Sequence, residues 1–400
     1  MAEEALAPAP DSAPASPRTS LRELAFFFLR LGTTAFGGPA GHIAMMEDEL
    51  VRRRRWLSRE KFLDLLGASN LIPGPSSSEL AIHIGYLRAG WAGLLVAGVC
   101  FILPAASMVA ALAWAYQRFG KLPAAAAILY GVKPVVIAVI LQALWGLGRS
   151  AIKSKLLALA GVVSLALAAY SVPPVLLLAG VGVAMAVAAM VRDGRTPRSA
   201  LVTSFAAMRP LTTPAAGAAA VIAPFSLGSL FLVFLKIGAV VFGSGYVLLA
   251  FLRADLVVHR GWLTDAQLVD AIAIGQVTPG PVFTTATFIG YLLAGVRGAT
   301  VATIGIFLPA FLLVAASGPL VPRIRRSRIA SAFLDGVIIA SLALMAVVTW
   351  QLARSSIVDV VTALLAIASA VALLRFRLNS AWLVFAGAFA GWMAHLVRTP

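Results

Sequence analysis

The sequence contains two copies of one pattern, and each copy has a Pro-Gly-Pro turn between apolar segments. Pro73-Gly74-Pro75 in the first half matches Pro279-Gly280-Pro281 in the second, at an offset of 206 residues (279 − 73). After a one-residue deletion the offset becomes 205, so that Gly85-Tyr86 matches Gly290-Tyr291 (290 − 85). Many matches at a constant offset with a single gap indicate an internal duplication.

The repeated turns interrupt helical patterns. Proline removes a backbone donor and glycine permits unusual dihedral angles, so each turn must break a helix. Inside a membrane, broken helices are tolerated only where the freed backbone groups are buried in protein or line a watery cavity. The two turns are therefore our first prediction of a substrate site.

The composition is that of a polytopic membrane protein. The 400 residues are 60% hydrophobic and 12% charged, with a mean hydropathy of +0.94, whereas soluble domains have about 25% charged residues. The net charge of +16 lies in short basic clusters between apolar runs, as in cytoplasmic loops of membrane proteins. This distribution argues against nucleic acid as a partner.

The sequence offers little for a metal, a cofactor or an active site. A single cysteine, Cys100, excludes an internal disulfide and a cysteine-based metal site. The four histidines show no ligand spacing, and no hydrolytic triad or phosphate-binding loop is recognisable. We therefore expect no cofactor, no direct use of ATP and no enzymatic activity.

The predicted fold is an all-α polytopic membrane protein with two homologous repeats. Each repeat should have a broken first helix, a re-entrant helical hairpin around Pro-Gly-Pro and about four further transmembrane helices. The predicted segments are a disordered N-terminal tail at 1–20, a first transmembrane repeat at 21–191, a cytoplasmic linker at 192–224 and a second transmembrane repeat at 225–400.

The arginines indicate how the repeats are oriented. If the cluster at 52–55 is cytoplasmic and the hairpins are re-entrant, every strong basic cluster falls on one side of the membrane. The weakly charged second copy of that loop, at 253–260, then lies on the opposite side. This favours inverted repeats, typical of secondary transporters with a midplane site at the repeat interface. Hairpins that cross fully would make the repeats parallel instead.

Arg30 and Lys236 occupy the same position in the two first helices (236 − 30 = 206). A cation at the centre of a membrane helix costs at least about 2.5–3.5 kcal/mol and is a functional hypothesis by default. Two such cations facing one cavity would suit a small dianion. The alternative is that both side chains reach the headgroups from helix ends. Lys133 has no basic counterpart at Ile338 and ranks below them.

Backbone amides and hydroxyl groups complete the predicted anion site. Helix breaks and helix starts expose N–H groups and positive dipole ends, which attract anions. The hydroxyl groups near the turns can donate to substrate oxygens, and their alternative role is helix N-capping. The predicted residues are Gly37, Gly38, Gly243, Ser244, Gly74 and Gly280 for the amides, and Ser76, Ser77, Thr284 and Thr285 for the hydroxyls.

Few acids lie within the apolar pattern. Glu79 follows the first Pro-Gly-Pro and has no acidic counterpart in the second copy, so it is our candidate for proton coupling. Its alternative role is a charge pair with Arg88 or His83. Asp64 and Asp270 occupy matched positions, and we expect them to cap helices or to pair with loop arginines.

The combination of motifs resembles a known family. Phe36-Gly37-Gly38-Pro39, Trp56-Leu57 before an acidic helix, Asn70-Leu71-Ile72-Pro73-Gly74-Pro75 and a later Gly85-Tyr86 resemble the two-domain, long-chain members of the chromate ion transporter family. The resemblance covers essentially everything from residue 21 onward. In the second copy Gly38 becomes Ser244 and Asn70 becomes Gln276, which permits unequal contributions to the site.

This resemblance implies a carrier in the bacterial cytoplasmic (inner) membrane that exports chromate, uses the proton gradient and confers chromate resistance. The implied partners are chromate or a sulfate-like oxyanion, protons and the lipid bilayer, and a homodimer stays open. The residues by themselves predict only a secondary transporter for a small anion. A carrier for sulfate or another oxyanion, a membrane enzyme acting on phosphate headgroups and an anion pore remain alternatives.

Overall fold

The computed structural model describes residues 19–36, 38–120, 122–170, 172–192, 225–242, 247–317, 327–376, 378 and 380–398. Within these ranges all regular structure is helical. Five of the described helices are long and apolar enough to cross a membrane. The all-α polytopic prediction is confirmed, whereas the predicted tail and linker fall almost wholly outside the described residues.

Among the described residues, seven α-helices in each half correspond in order. The first half contains α1 (Leu21–Thr34), α2 (Gly38–Glu47), α3 (Arg59–Ser69), α4 (Ser76–Phe119), α5 (Pro123–Ala151), α6 (Lys155–Ala169) and α7 (Pro174–Arg192). The second half contains α8 (Leu227–Val240), α9 (Leu248–Leu252), α10 (Asp265–Val277), α11 (Thr285–Ser317), α12 (Arg328–Ser356), α13 (Val360–Phe376) and α14 (Ser380–Arg398). Short π-helical turns extend α2 and α9, and a 3-10 turn precedes α11.

The first helix of each repeat is broken, as predicted. Ser20 begins α1 by accepting a hydrogen bond from the Glu23 N–H, and Ser226 begins α8 through a capping box with Ser229. Helix α1 ends before Ala35, and α8 ends before Val241. Both ends lie deep in the protein, because Ala35 and Val241 are fully buried.

The helical segment that follows each Pro-Gly-Pro turn continues into the next long helix through a kink. Ala89 and Gly90 interrupt α4, and Ala294 and Gly295 interrupt α11 at the equivalent positions (294 − 89 = 205). The two glycines have φ of 62° and 57°, a conformation that side chains other than glycine rarely adopt. Each kink thus separates a short arm after Pro-Gly-Pro from a longer apolar segment.

The last two helices of each repeat pack on the other repeat. Helices α6 and α7 lie against α12, while α13 and α14 lie against α5. Glycines allow the close approach: the backbone of Gly131 meets Gly387, and that of Gly336 meets Gly182 (336 − 131 and 387 − 182 both equal 205). Small residues at such crossings are typical of membrane helices. Because each repeat packs its last two helices on the other, the two repeats form one unit.

We expect the Gly131 crossing to be sensitive to a single methyl group. Gly131→Ala should lower the thermal unfolding temperature in detergent, because a Cβ there would collide with the backbone of α14. Gly146→Ala on the same helix is the control, since its Cβ would meet open space and alanine is favoured over glycine in a helix by about 0.5–1 kcal/mol. Equal unfolding temperatures of the two variants would contradict this packing.

Candidate functional site

Each Pro-Gly-Pro turn is hydrogen-bonded to the broken first helix of the other repeat. The Gly74 N–H donates to the Val241 carbonyl at 2.7 Å, and the Gly280 N–H donates to the Ala35 carbonyl at 3.0 Å. The two bonds are equivalent, because 280 − 74 and 241 − 35 both equal 206. The turns and the helix breaks therefore meet at the interface between the repeats.

Glycine is required at the centre of each turn. Gly74 and Gly280 have φ of 139° and 92°, and a side chain at either position would collide with its neighbours. These neighbours are the Glu79 carboxylate for Gly74 and the Ala105 side chain for Gly280. The amides of Gly74 and Gly280, which are predicted to bind the anion, are bonded to the Val241 and Ala35 carbonyls in this conformation.

A buried histidine links Ser77, which follows the first turn, to Ala35, which binds the second turn. His42 Nε2 lies 3.2 Å from the Ala35 carbonyl oxygen, and Nδ1 lies 3.1 Å from Ser77 Oγ. Since a carbonyl oxygen only accepts, Nε2 donates, and in the neutral ring Nδ1 accepts from the Ser77 hydroxyl. Ala35 therefore receives bonds from both His42 and Gly280. No sequence pattern predicts this role, because His42 has no ligand spacing.

The predicted hydroxyl groups are buried at the helix starts. Thr284 donates to the Pro281 carbonyl at 2.7 Å, and Thr285 donates to the Val282 carbonyl at 2.8 Å. The N-capping alternative is wrong for these two threonines, since each hydroxyl bonds a carbonyl rather than an N–H. Ser76 and Ser77 are buried at the start of α4, and Gly38 begins α2 with a φ of 67°. Gly37, Gly243 and Ser244 lie outside the described residues.

Glu79 is fully buried beside the first turn. Neither carboxyl oxygen has a hydrogen-bond partner within the part of the chain that the structure describes. The predicted alternative of a charge pair is wrong here: Arg88 donates to Thr19 and to the Trp56 carbonyl, and the His83 Nε2 lies by Ser317. An unpaired acid therefore lies against Gly74 at the repeat interface.

Lys236 pairs with an acid of its own repeat, whereas Arg30 lines a cavity without an ion-pair partner among the described residues. Arg30 lines an open cavity of about 360 Å³ together with Glu49 and Arg53, and Lys236 Nζ pairs with Asp255 at 2.6 Å. Glu49 and Asp255 occupy equivalent positions (255 − 49 = 206). Lys236 does not line the Arg30 cavity. The structure therefore does not bring the two cations into one shared cavity, as the sequence had suggested.

An ionic cluster around the buried Asp270 fastens the second hairpin to the first repeat. Lys133 Nζ lies 3.1 Å from Asp270 Oδ1, and the Tyr116 hydroxyl donates to Asp270 Oδ2 at 2.8 Å. The expectation that Asp270 caps a helix or pairs with a loop arginine is wrong. The sequence did not predict this partner of Lys133, although a lone lysine in an apolar helix was the available signal. The matched acid Asp64 is exposed.

Comparison with known proteins agrees with this two-repeat arrangement. The chromate transporter family model matches residues 22–187 and 228–392, one region in each repeat. The chain belongs to the chromate transporter family. The resemblance predicted from the sequence motifs is therefore confirmed, and the protein is a multi-pass membrane protein with transporter relatives.

Relatives in the chromate transporter family match nearly the whole chain. A chromate transport protein of Cupriavidus metallidurans is 36% identical over 93% of this chain and 92% of its own length. A probable chromate transport protein of Synechococcus elongatus is 33% identical, over 87% and 88%. A chromate transport protein of Pseudomonas aeruginosa is 32% identical, over 94% and 93%. No solved structure matches the chain.

We expect the buried pair of this family member to matter far more than an exposed one. Breaking a buried ion pair leaves one charge uncompensated and costs about 3–5 kcal/mol. Lys133→Met should therefore lower the free energy of unfolding in detergent by this amount. Lys153→Met is the control, because the Lys153 side chain in its pair with Asp335 is 63% exposed, and such pairs contribute about 0–1 kcal/mol.

The double variant Lys133→Met/Asp270→Leu provides a second check on the pair. Removing both charges should recover most of the lost stability, since no uncompensated buried charge remains. If the single and double variants are equally destabilised, the effect comes from side-chain packing rather than from the ion pair.

Proposed function

We propose that this protein is a secondary active transporter that exports chromate across the bacterial cytoplasmic membrane, is coupled to protons and confers chromate resistance. The chromate transport proteins it resembles support the substrate. The observation that carries the mechanism is the pair of crossed turn–helix bonds at the repeat interface, with the unpaired Glu79 beside one of them. Inverted repeats with a site at their interface are the usual architecture of such carriers.

Alternating access follows from opening one crossed bond at a time. Chromate is a tetrahedral dianion, and its oxygens need N–H and O–H donors. Separation of Gly74 from Val241 would free one turn amide for the anion, and separation of Gly280 from Ala35 would free the other. The proposed binding groups are these amides, the breaks at Gly37, Gly38, Gly243 and Ser244, and the hydroxyls of Ser76, Ser77, Thr284 and Thr285.

The two cations contribute unequally in this proposal. The Arg30 guanidinium has no ion-pair partner among the described residues and lines an open cavity, so it is available to attract an anion. Lys236 is neutralised in part by Asp255. We therefore assign the larger share of anion attraction to Arg30.

Glu79 couples protons to the anion through electrostatic repulsion. A buried, unpaired carboxylate is costly, so the neutral acid is the form that suits this conformation. An ionised Glu79 would repel a dianion at the adjacent turn, since charges interact strongly at low dielectric. A neutral Glu79 therefore favours bound chromate, and one proton leaves the cell together with the dianion. A membrane potential that is negative inside favours exit of the remaining single negative charge by about 2.3 kcal/mol per 100 mV.

Chromate uptake into inverted membrane vesicles tests the function. We expect saturable uptake that excess sulfate inhibits and that an uncoupler abolishes. Arg30→Ala should weaken the apparent affinity by about ten- to a hundredfold, because a hydrogen bond to a charged group contributes about 1.5–3 kcal/mol. Lys236→Ala should have a smaller effect, and Arg149→Ala, exposed on α5, should have none.

Other outcomes would point to the alternatives. Flux without saturation would indicate a pore, and turnover of a lipid headgroup would indicate an enzyme. Absence of chromate flux alongside sulfate flux would replace the substrate with another oxyanion. Normal transport by Arg30→Ala would remove this arginine from the site.

Glu79→Gln separates binding from coupling. Glutamine imitates the neutral acid, so we expect this variant to bind chromate while its flux loses its dependence on pH. Glu60→Gln on the exposed face of α3 is the control and should keep the pH dependence of the native protein. An unchanged pH profile in Glu79→Gln would exclude Glu79 as the coupling residue.

A further inference from the structure

An apolar groove runs between α6 and α7 on the outside of the protein. It has a volume of about 410 Å³, and all of its lining residues are apolar. Helix α7 is also the least buried of the five candidate spans, with 17% of its apolar window inside the protein, compared with 44–61% for the other four. The groove therefore opens toward the surrounding membrane.

Both helices lead to a cation at the same end of the groove. Groove residues recur at every fourth position, and this spacing places them on one helix face. They are Leu159, Val163 and Leu167 on α6, and Gly180, Ala184 and Ala188 on α7. The next position is Lys155 on α6 (159 − 4) and Arg192 on α7 (188 + 4). Since the two consecutive helices run antiparallel, the start of α6 lies beside the end of α7.

These two cations are available to a ligand. Lys155 and Arg192 are exposed, and neither has an ion-pair partner within the described ranges. The sequence from 155 to 192 contains no acidic residue, and the one acid that follows, Asp193, is accompanied in the sequence by Arg195 and Arg198. The nearby Lys153, by contrast, is already paired with Asp335 at 2.9 Å. The end of the groove is thus locally positive.

The second repeat lacks the lysine at the start of the equivalent helix. At the start of α13, Val360 replaces Lys155 (360 − 155 = 205), and the residue before it is Asp359. Asp359 accepts hydrogen bonds from the Tyr130 hydroxyl and from the Thr362 N–H. The lysine is therefore a property of the first repeat and not a general consequence of the fold, whereas α7 and α14 both end at an arginine, Arg192 and Arg398.

The groove has the length of one lipid leaflet. From 155 to 167 the helix rises by about 18 Å (12 × 1.5 Å), and one leaflet occupies about half of the 30 Å hydrocarbon core. We propose that the groove binds an anionic phospholipid, with an acyl chain between α6 and α7 and the phosphate at Lys155 and Arg192. Basic pockets between membrane helices recognise lipid headgroups in this way.

Such a lipid would strengthen the contact between the repeats. Helices α6 and α7 both lie on α12 of the second repeat, and the groove residue Met185 lies beside Gly336 of that helix. A bound acyl chain would hold α6 and α7 together on this support. The protein should therefore be more stable with the anionic lipid than without it.

Thermal unfolding of the purified protein in a neutral detergent tests the headgroup site. We expect added phosphatidylglycerol to raise the unfolding temperature more than phosphatidylcholine does. The double variant Lys155→Gln/Arg192→Gln should lose this difference. Arg149→Gln is the matched control, because Arg149 is exposed on α5 and lies over the Trp145 ring; it should keep the difference.

Gly180→Trp tests the acyl-chain part of the groove. A Cβ at Gly180 meets open space, so the variant should fold and fill the groove while both cations remain. We expect it to lose the response to phosphatidylglycerol and to retain one fewer bound lipid in native mass spectrometry.

Three results would overturn the lipid site. Equal stabilisation by both lipids would mean that the cations recognise no headgroup. A response preserved in both the double variant and Gly180→Trp would mean that the lipid acts elsewhere on the surface. Loss of a dimer on introducing Gly180→Trp would make the groove an interface between two copies of the chain.

Discussion

The structure depends on two backbone hydrogen bonds that cross between the repeats. Breaking a helix inside a membrane leaves N–H and C=O groups without partners, and hydrocarbon supplies none. Here the Gly74 and Gly280 amides of the turns satisfy the carbonyls of Val241 and Ala35 at the broken helices. Each repeat therefore supplies one hydrogen bond to the broken helix of the other. The buried His42 reinforces one of the two crossings.

The two halves share a fold but differ in how firmly their hairpins are held. Helix α10 has eight buried residues among thirteen, whereas α3 has three among eleven. The Asp270 of α10 is held by Lys133 and Tyr116 of the other repeat, while the matched Asp64 is exposed. The unpaired Glu79 lies in the first hairpin. Local stability differs between such regions, and moving elements come from the weaker ones, which favours movement of the first hairpin.

At the periphery of the protein, the last two helices of each repeat also pack on the other repeat. Glycine crossings at Gly131 and Gly336 let α5 and α12 each support the last two helices of the other repeat. Since α6 and α7 lie on the outside of this arrangement, their groove faces lipid, and the lysine at its basic end distinguishes the first repeat from the second. In this proposal a lipid of the surrounding bilayer strengthens the contact between the repeats.

The sequence by itself determined the membrane class, the duplication, the helix breaks and the hairpins, because hydropathy, a constant offset and Pro-Gly-Pro are local properties. It also placed Glu79 beside a turn, since Glu79 lies five positions after Gly74. Only the tertiary structure decided which residues contact one another. An offset shows which positions correspond but not which ones touch, so the Lys133–Asp270 pair and the crossed bonds could not be predicted. For the same reason the sequence could not show that Lys236 pairs with Asp255 and does not line the cavity of the equivalent Arg30.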